Sequence, residues 1–452
     1  MSDLAPATPT QPGERPFPLH TRWLTAGSLL ALMTLLQLGW LAAIWLTGAA
    51  EAAYKLLPLV VTTVGLGIIF YLLPERFLGW LPLDEDRLAR SETRVLLLAG
   101  LLLGVALLIF AHQQRVWTFD EEGNLIASYS VARNGVLSLF EHYDRRPWLG
   151  KQHPPLAPII YGTAMRLLGT TQLAGRVVTA VFTLGTGWLT YLIGRRLFNR
   201  TTALLGALLL FSFPLVFRLG AAAMVEMPLT FFFTLTVWLT LRVVERPSWQ
   251  RWLLVGLAAA AGLLLKYTMV FVVPLVVGIA AVHGSKKQAL RLAGVGLLLA
   301  AALGVGLLLL ARRVDVLQQQ LATVWEYAGL VLTNEYGRRV LFETLTNRLP
   351  SALGVYNLPL LTLGGLFIIN RRRPVDWVVL LWLLSVWLPL FLTLPDHRYF
   401  LPSFPAAALL SALGLQQVGQ GTARGLLLSL LFAASTLYLY VDWVRSAELY
   451  VR

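Results

Sequence analysis

The sequence predicts an all-α protein that crosses a membrane many times. Of its 452 residues, 57% are hydrophobic and only 13% are charged, and the mean hydropathy is +0.68. A soluble protein of this length has no means of burying so much apolar surface. About thirteen apolar runs are long enough to cross the bilayer as helices; they lie near 23–48, 55–73, 95–112, 173–194, 202–217, 228–243, 252–265, 268–283, 291–311, 351–370, 375–394, 399–415 and 425–441. Lys266 and Pro274 favour two helices over one in the stretch 252–283.

These runs divide the chain into a tail, an N-terminal helix pair and one main membrane domain. Residues 1–22 are rich in Pro and Thr and lack an apolar core, which predicts a short disordered tail and not a cleaved signal. The remaining segments are two additional helices in 23–94, the main domain 95–442 with its long loops 113–172 and 312–350, and a C-terminal tail, 443–452.

The distribution of Lys and Arg predicts the orientation. The net charge of +14 would indicate nucleic acid in a soluble domain, but here the positive residues cluster at helix ends. They therefore indicate anionic headgroups and membrane orientation, with no role for nucleic acid. The short loops around 76–94, 195–200, 242–251 and 371–373 are Arg-rich and predicted to be cytoplasmic. With thirteen spans, the N-terminus is then cytoplasmic, while both long loops and the C-terminal tail face outward from the cell membrane.

Cysteine is absent from the chain. This excludes disulfides, thiolate metal sites and cysteine nucleophiles. It leaves open whether acidic residues of the outer loops hold a divalent metal.

The first candidate site residues form the acidic cluster Asp120, Glu121 and Glu122, which follows a membrane helix. One interpretation is a solvated helix cap, because acidic side chains stabilise a helix N-terminus. The other is a general base, because a carboxylate beside apolar material has a raised pKa and can accept a hydroxyl proton. The polar and apolar pattern after the cluster predicts a helix lying in the interface plane.

Lys151 and His153 lie directly before Pro154-Pro155-Leu156. Two prolines followed by an amphipathic run predict a helix start. In the simpler interpretation the motif is only this helix start, and His153 has no function. Alternatively, cationic side chains beside a helix N-terminus at the membrane surface suit a lipid phosphate.

Two further candidates interrupt apolar helix ends. Arg176 is either a snorkelling anchor or a phosphate ligand with two-pronged geometry. Glu226 stands in an otherwise apolar stretch, Ala221–Leu229. It has either a structural partner, such as Arg218, or a functional contact with substrate, a metal or Arg176.

Lys266 and Arg398 also lie at predicted outer helix ends. Each alone is typical of an interface anchor. Together they add positive charge to the face that carries the carboxylates.

The order of these motifs resembles a known family. Phe119-Asp120-Glu121, His153-Pro154-Pro155-Leu156, Gly175-Arg176, the acid at Glu226, Lys266 and Arg398-Tyr399-Phe400-Leu401-Pro402 are similar to motifs of the protein O-mannosyltransferases. These enzymes and their aminoarabinose-transferase relatives form glycosyltransferase family 39, which has the membrane-embedded C-type fold. The similarity covers about residues 95–415.

The resemblance implies inverting transfer of one sugar from a polyprenyl-phosphate donor to a hydroxyl of a lipid, glycan or protein acceptor. Asp120 matches the family's general base, and Glu121 beside it is expected to be the second catalytic residue. His153 and Arg176 match residues expected near the donor phosphate, and Lys151, Lys266 and Arg398 add positive charge there. The chain departs from the family at Glu226, where Asp is usual, and at Gln152-His153, where the aminoarabinose relatives have an acid and Lys.

A transporter or flippase of a lipid-linked sugar is the alternative from another class. Transporters favour inverted repeats and charges near mid-membrane in broken helices. The candidate charges here lie at helix ends and no repeat is visible, which favours the enzyme.

Overall fold

The computed structural model describes residues 92–113, 119–141, 154–283, 329–354, 357–393 and 395–417, with a few isolated positions between 290 and 326. The predicted helices 23–48, 55–73 and 425–441, and nearly all of 291–311, lie outside these residues. All regular elements of the described part are helices, which confirms the predicted all-α class.

The first half of the described chain contains ten α-helices. They are α1 Glu92–Gln113, α2 Phe119–Asn134, α3 Leu137–Glu141, α4 Leu156–Leu168, α5 Gln172–Leu197, α6 Arg200–Leu210, α7 Pro214–Gly220, α8 Glu226–Glu245, α9 Trp249–Leu263 and α10 Val272–His283. A 3₁₀ segment, Tyr267–Phe271, separates α9 from α10, so the predicted break at Lys266 is confirmed.

The second half begins in the predicted second outer loop. Its helices are α11 Leu330–Thr333, α12 Glu335–Glu343, α13 Leu349–Leu353, α14 Leu358–Arg371, α15 Pro374–Leu392 and α16 Phe404–Gln417. A π-helical segment, Thr344–Arg348, lies between α12 and α13, and a 3₁₀ segment, His397–Ser403, leads into α16.

Four described stretches are long and apolar enough to cross a membrane: α5, α8, α15 and the continuous His397–Gln417. Two bent pairs raise this number to six if each pair forms one span. The described residues thus form a polytopic helical bundle, as predicted.

Two predicted helices are wrong in detail. The run 202–217 is not one straight helix, because α6 and α7 meet at 65°. Pro214 at the start of α7 has no N–H to continue the ladder of α6. Likewise 351–370 is broken: α13 ends at Leu353, and the longer helix α14 begins at Leu358 with Pro359 in its first turn.

The core of the bundle is built around α16, whose residues from Phe404 to Leu415 are all buried. Close packing against α14 depends on two glycines. A Cβ at Gly364 would lie 1.8 Å from the carbonyl oxygen of Leu410, and one at Gly414 would lie 2.0 Å from that of Leu360. Small residues let membrane helices approach at backbone distance.

Arg-rich loops meet at one end of the bundle. Arg196 forms an ion pair with Glu245 and its Nη2 lies 3.4 Å from the carbonyl oxygen of Leu241. Arg371 donates from Nε to Asp376 at 3.0 Å and lies 5.6 Å from the ring centre of Phe198. Loops predicted to share the cytoplasmic face therefore share one end, although the side that this end faces stays a prediction.

Candidate functional site

The site is centred on Asp120 and Arg398, which are far apart in sequence and in contact in the structure. Asp120 is the second residue of α2, whose first turn also holds Glu121 and Glu122, where the helix dipole favours negative charge. Its Oδ2 lies 2.5 Å from Nη1 of Arg398. The two side chains are 27% and 24% exposed, so the ion pair remains accessible.

Asp396 holds Arg398 from the other side. Arg398 Nη2 donates to Asp396 Oδ2 at 3.0 Å, and the backbone N–H of Arg398 donates to Oδ1 at 3.0 Å. One guanidinium thus bridges the carboxylates of Asp120 and Asp396. The sequence analysis gave Asp396 no role.

Two indoles fix the 3₁₀ segment that carries Arg398. Trp382 Nε1 donates to the carbonyl oxygen of Pro402 at 2.8 Å, and Trp387 Nε1 donates to Ser403 Oγ at 2.8 Å. Both tryptophans belong to α15. The position of Arg398 is therefore set by a neighbouring helix as well as by its own.

Glu226 and Lys266 form a second, more deeply buried ion pair. Lys266 Nζ donates to Glu226 Oε1 at 2.9 Å, and the two side chains are only 9% and 3% exposed. Lys266 also lies 3.8 Å from the ring centre of Tyr399, a cation–π contact. Glu226 thus pairs with Lys266 and not with the alternatives considered from the sequence, Arg218 and Arg176.

The second oxygen of the Glu226 carboxylate, Oε2, differs from Oε1 in its hydrogen bonding. Within the described part of the chain, Glu226 Oε2 is buried and has no hydrogen-bond partner. Glu226 also interacts electrostatically with Arg398 and Asp120. The two ion pairs therefore form one group, here called the charged cluster: Asp120, Glu226, Lys266, Asp396 and Arg398.

The charge of Asp396 is strongly favoured. Burial raises the pKa of its carboxyl, but nearby His397 and Arg398 more than offset this, so the pKa lies well below its usual value. His397 Nδ1 lies 3.1 Å from Asp396 Oδ1. Asp396 is consequently ionised throughout the physiological pH range and holds Arg398 by charge as well as geometry.

Glu121 and Arg176 form a third ion pair, beside the charged cluster. Arg176 donates from Nε to Glu121 Oε1 at 2.9 Å and from Nη2 to Oε2 at 3.1 Å. The side chains are 0% and 2% exposed. Arg176 Nη1 also donates to the carbonyl oxygen of Ala111 at 2.7 Å. A snorkelling anchor is excluded by this burial, and the predicted contact with phosphate stays a prediction.

The Glu121–Arg176 pair also positions the segment that precedes Glu226. The backbone N–H of Ala223 donates to Glu121 Oε1 at 2.8 Å. Next to it, Tyr161 of α4 donates to the carbonyl oxygen of Met224 at 2.6 Å. Sequence reasoning missed Tyr161, because a tyrosine on an amphipathic helix gives no signal of a partner 63 positions away.

Lys151, His153 and the motif's Gln152 lie outside the described residues, so their predicted contacts stay predictions. The helix start predicted after them is confirmed, since α4 begins at Leu156. The backbone N–H of Leu156 donates to the carbonyl oxygen of Leu264 at 3.1 Å. The chain that follows the histidine motif is therefore attached to the turn that carries Lys266.

The second outer loop reaches the same region. Thr344 donates from Oγ1 to the carbonyl oxygen of Pro395, next to Asp396, at 2.5 Å. Thr344 is buried and begins the π-helical segment, a feature often found at functional sites. Among the described residues, no group of three His, Asp or Glu side chains is arranged to hold a metal ion.

Comparisons with known proteins agree with the sequence resemblance. Residues 152–311, which include Arg176, Glu226 and Lys266, match the family model described as dolichyl-phosphate-mannose-protein mannosyltransferase. No curated protein matches the chain by sequence.

Solved structures of ArnT from Cupriavidus metallidurans share the fold. The apo structure is 15% identical with a TM-score of 0.51, and the structure bound to undecaprenyl phosphate is 14% identical with a TM-score of 0.50. In both cases the match covers 73% of this chain and 60% of ArnT. Less than two thirds of ArnT is therefore represented here. The chain has the C-type fold of membrane glycosyltransferases, and its residues 152–311 carry the sequence pattern of the dolichyl-phosphate-mannose-protein mannosyltransferase family.

Proposed function

We propose that the protein is an integral-membrane glycosyltransferase that moves a sugar from a polyprenyl-phosphate donor to an acceptor hydroxyl at the outer face. The observation that carries the proposal is the charged cluster, in which an accessible carboxylate, Asp120, is paired with an arginine suited to a phosphate. The family match over 152–311 and the fold shared with ArnT, a protein solved with undecaprenyl phosphate, support it.

In the proposed reaction, Asp120 accepts the proton of the acceptor hydroxyl. At the same time, the oxygen of that hydroxyl attacks the anomeric carbon of the donor sugar. The bond between that carbon and the phosphate oxygen breaks, and the electron pair leaves with the polyprenyl phosphate. A single base suffices for direct displacement with inversion. The acceptor is a lipid, glycan or protein hydroxyl.

Arg398 has two tasks in this mechanism. Its Nη1 forms an ion pair with Asp120, and its Nη2 forms one with Asp396. When a donor phosphate competes for Nη1, the ion pair with Asp396 therefore still holds the guanidinium in place. Transfer of Nη1 from Asp120 to the phosphate would leave Asp120 more basic. It would also place positive charge where the leaving group gains negative charge.

The other predicted phosphate ligands take different positions in the proposal. Lys151 and His153 complete the phosphate site, since they precede the chain attached at Leu264. Lys266 acts through Glu226. The contacts of Arg176 with Glu121 and Ala111 favour a structural task for both Arg176 and Glu121, namely to hold the helix starts that carry Asp120 and Glu226.

The test is chemical conversion of the donor by the purified protein. In detergent, with polyprenyl-phosphate sugars and an extract of the native membrane as the acceptor source, wild type should release polyprenyl phosphate, and Asp120→Asn should not. Mass analysis of the new glycoconjugate identifies both the transferred sugar and the acceptor. A flippase would leave the donor chemically unchanged in detergent, and that result would reject the transferase.

A further inference from the structure

Glu226 has a buried carboxylate oxygen that calls for a ligand group beyond those already assigned. Its carboxylate is almost completely buried, yet only Oε1 is bonded, to Lys266. Oε2 is buried without a hydrogen-bond partner among the described residues. An ionised carboxylate offers several lone pairs, and a buried acceptor that stays unpaired destabilises the fold.

The contacts of Lys266 fix which oxygen is left over. The ammonium group donates to Oε1 and lies against the ring of Tyr399 at 3.8 Å. The pair is held between α8 and the turn after α9, so the carboxylate does not need to rotate to accept a further donor. Oε2 is thus a preorganised acceptor.

The chemistry of this acceptor restricts the ligand. A carboxylate repels phosphate, so the donor phosphate belongs with Arg398 and not with Glu226. A hydroxyl, in contrast, donates a short, charge-assisted hydrogen bond to a carboxylate. Because Lys266, the partner of Glu226, lies 3.8 Å from the ring centre of Tyr399, the neighbour of Arg398, a sugar placed between base and phosphate would bring its ring hydroxyls to this part of the charged cluster.

We infer that Glu226 Oε2 accepts a hydrogen bond from a ring hydroxyl of the transferred sugar and thereby selects which sugar is transferred. The inference rests on the proposed function and adds a specificity-determining residue to it. Recognition by hydrogen bonding discriminates strongly, because an analogue without the matching hydroxyl leaves the buried acceptor unpaired.

The first experiment compares donors that differ only in the sugar. Undecaprenyl-phosphate mannose, glucose, galactose and arabinose are supplied to wild type and to Glu226→Gln. The glutamine preserves shape and keeps an oxygen for Lys266, but it replaces Oε2 with an N–H donor. Wild type should prefer one sugar by about tenfold or more, and Glu226→Gln should reduce that preference severalfold.

The second experiment measures binding without turnover. Stabilisation of the detergent-solubilised protein by undecaprenyl phosphate is compared with stabilisation by the same lipid carrying the preferred sugar. Glu226→Gln should still be stabilised by undecaprenyl phosphate, but the lipid carrying the sugar should stabilise it no further than the lipid alone. Glu245→Gln, the same substitution at the exposed far end of α8, serves as the matched control and should keep both.

The outcomes separate the inference from the proposed function. If wild type transfers none of the sugars, both are overturned. If wild type transfers a sugar but Glu226→Gln lowers all four rates by the same factor, with the sugar increment in stability intact, only the inference fails. Glu226 would then be a structural partner of Lys266.

Discussion

Glu121 and Arg176 form a fully buried, two-pronged ion pair that joins α2 to α5. The same pair reaches the end of α1 through Ala111 and the start of α8 through Ala223. It therefore fixes the relative positions of helix ends that carry Asp120 and Glu226. Two charges buried for this purpose are costly to separate, because the remaining partner stays buried without compensation.

This relationship predicts a stability effect. Glu121→Ala and Arg176→Ala should each destabilise the protein by about 3–5 kcal/mol, the usual cost of breaking a buried pair. The double variant should lose less than the sum of the two, because neither charge is then left alone. Thermal or denaturant unfolding in detergent gives the free energy of unfolding of wild type, both single variants and the double variant, which together form a double-mutant cycle. Additive losses would show that Arg176 acts independently, as expected of a phosphate ligand.

Asp120 is expected to be essential for turnover but not for folding. Asp120→Asn keeps the size of the side chain and removes the base, so the rate should fall by about a hundredfold or more. Initial rates of polyprenyl-phosphate release measure the effect. Glu122→Gln, an exposed acid in the same helical turn, is the control. An Asp120→Asn rate within about tenfold of wild type contradicts the assignment.

Arg398 should require its fork and not only its charge. Lysine cannot bridge Asp120 and Asp396 as the guanidinium does, so Arg398→Lys should be impaired in both donor affinity and kcat. A contact that tightens as the phosphate leaves affects both parameters. Steady-state kinetics with varied donor make the comparison. If Arg398→Ala had the kcat of wild type at saturating donor, Arg398 would not take part in the reaction.

Asp396 predicts a specific dependence of stability on pH. Its pKa is lowered in the folded protein, so it contributes stability that is complete above the unfolded value of about 3.8 and is lost as pH falls toward the folded pKa. Between pH 5 and pH 3, the Tm of Asp396→Asn should decline less steeply than that of wild type. Parallel declines would show that the charge of Asp396 is not coupled to folding.

Membrane orientation can be tested because the chain has no cysteine. Single cysteines at Glu335 and Gln250, both exposed positions, lie in loops predicted to be outer and cytoplasmic. An impermeant thiol reagent added to intact cells should label only the variant at 335. Labelling of both, or of 250 alone, is incompatible with an outward-facing site.

The sequence was sufficient for the fold class and for most helices, since apolar periodicity and length are direct signals of membrane helices. It was also sufficient to single out Asp120, Glu226, Lys266 and Arg398, because ionisable groups at apolar helix ends are conspicuous. The bend between α6 and α7 was missed, although Pro214 was visible, because an uninterrupted apolar run masked it.

The pairing of these charges was beyond the sequence. From the sequence, Arg218 and Arg176 were the candidate partners of Glu226, whereas its partner in the structure is Lys266, 40 positions away. Arg176 resembled a phosphate ligand because its family motif said nothing of Glu121. Which of several charges at one end of a bundle meet depends on helix packing, which single residues do not encode.

The contact between Asp120 and Arg398 has a consequence for how the protein becomes active during synthesis. The two residues are 278 positions apart, and a chain made from its N-terminus supplies Asp120 long before Arg398. Until the segment 397–403 is in place, the nascent chain has a carboxylate but lacks the arginine that partners it. Under the proposed mechanism, a half-inserted molecule lacks the arginine that binds the donor phosphate, so sugar transfer begins only with assembly of the bundle.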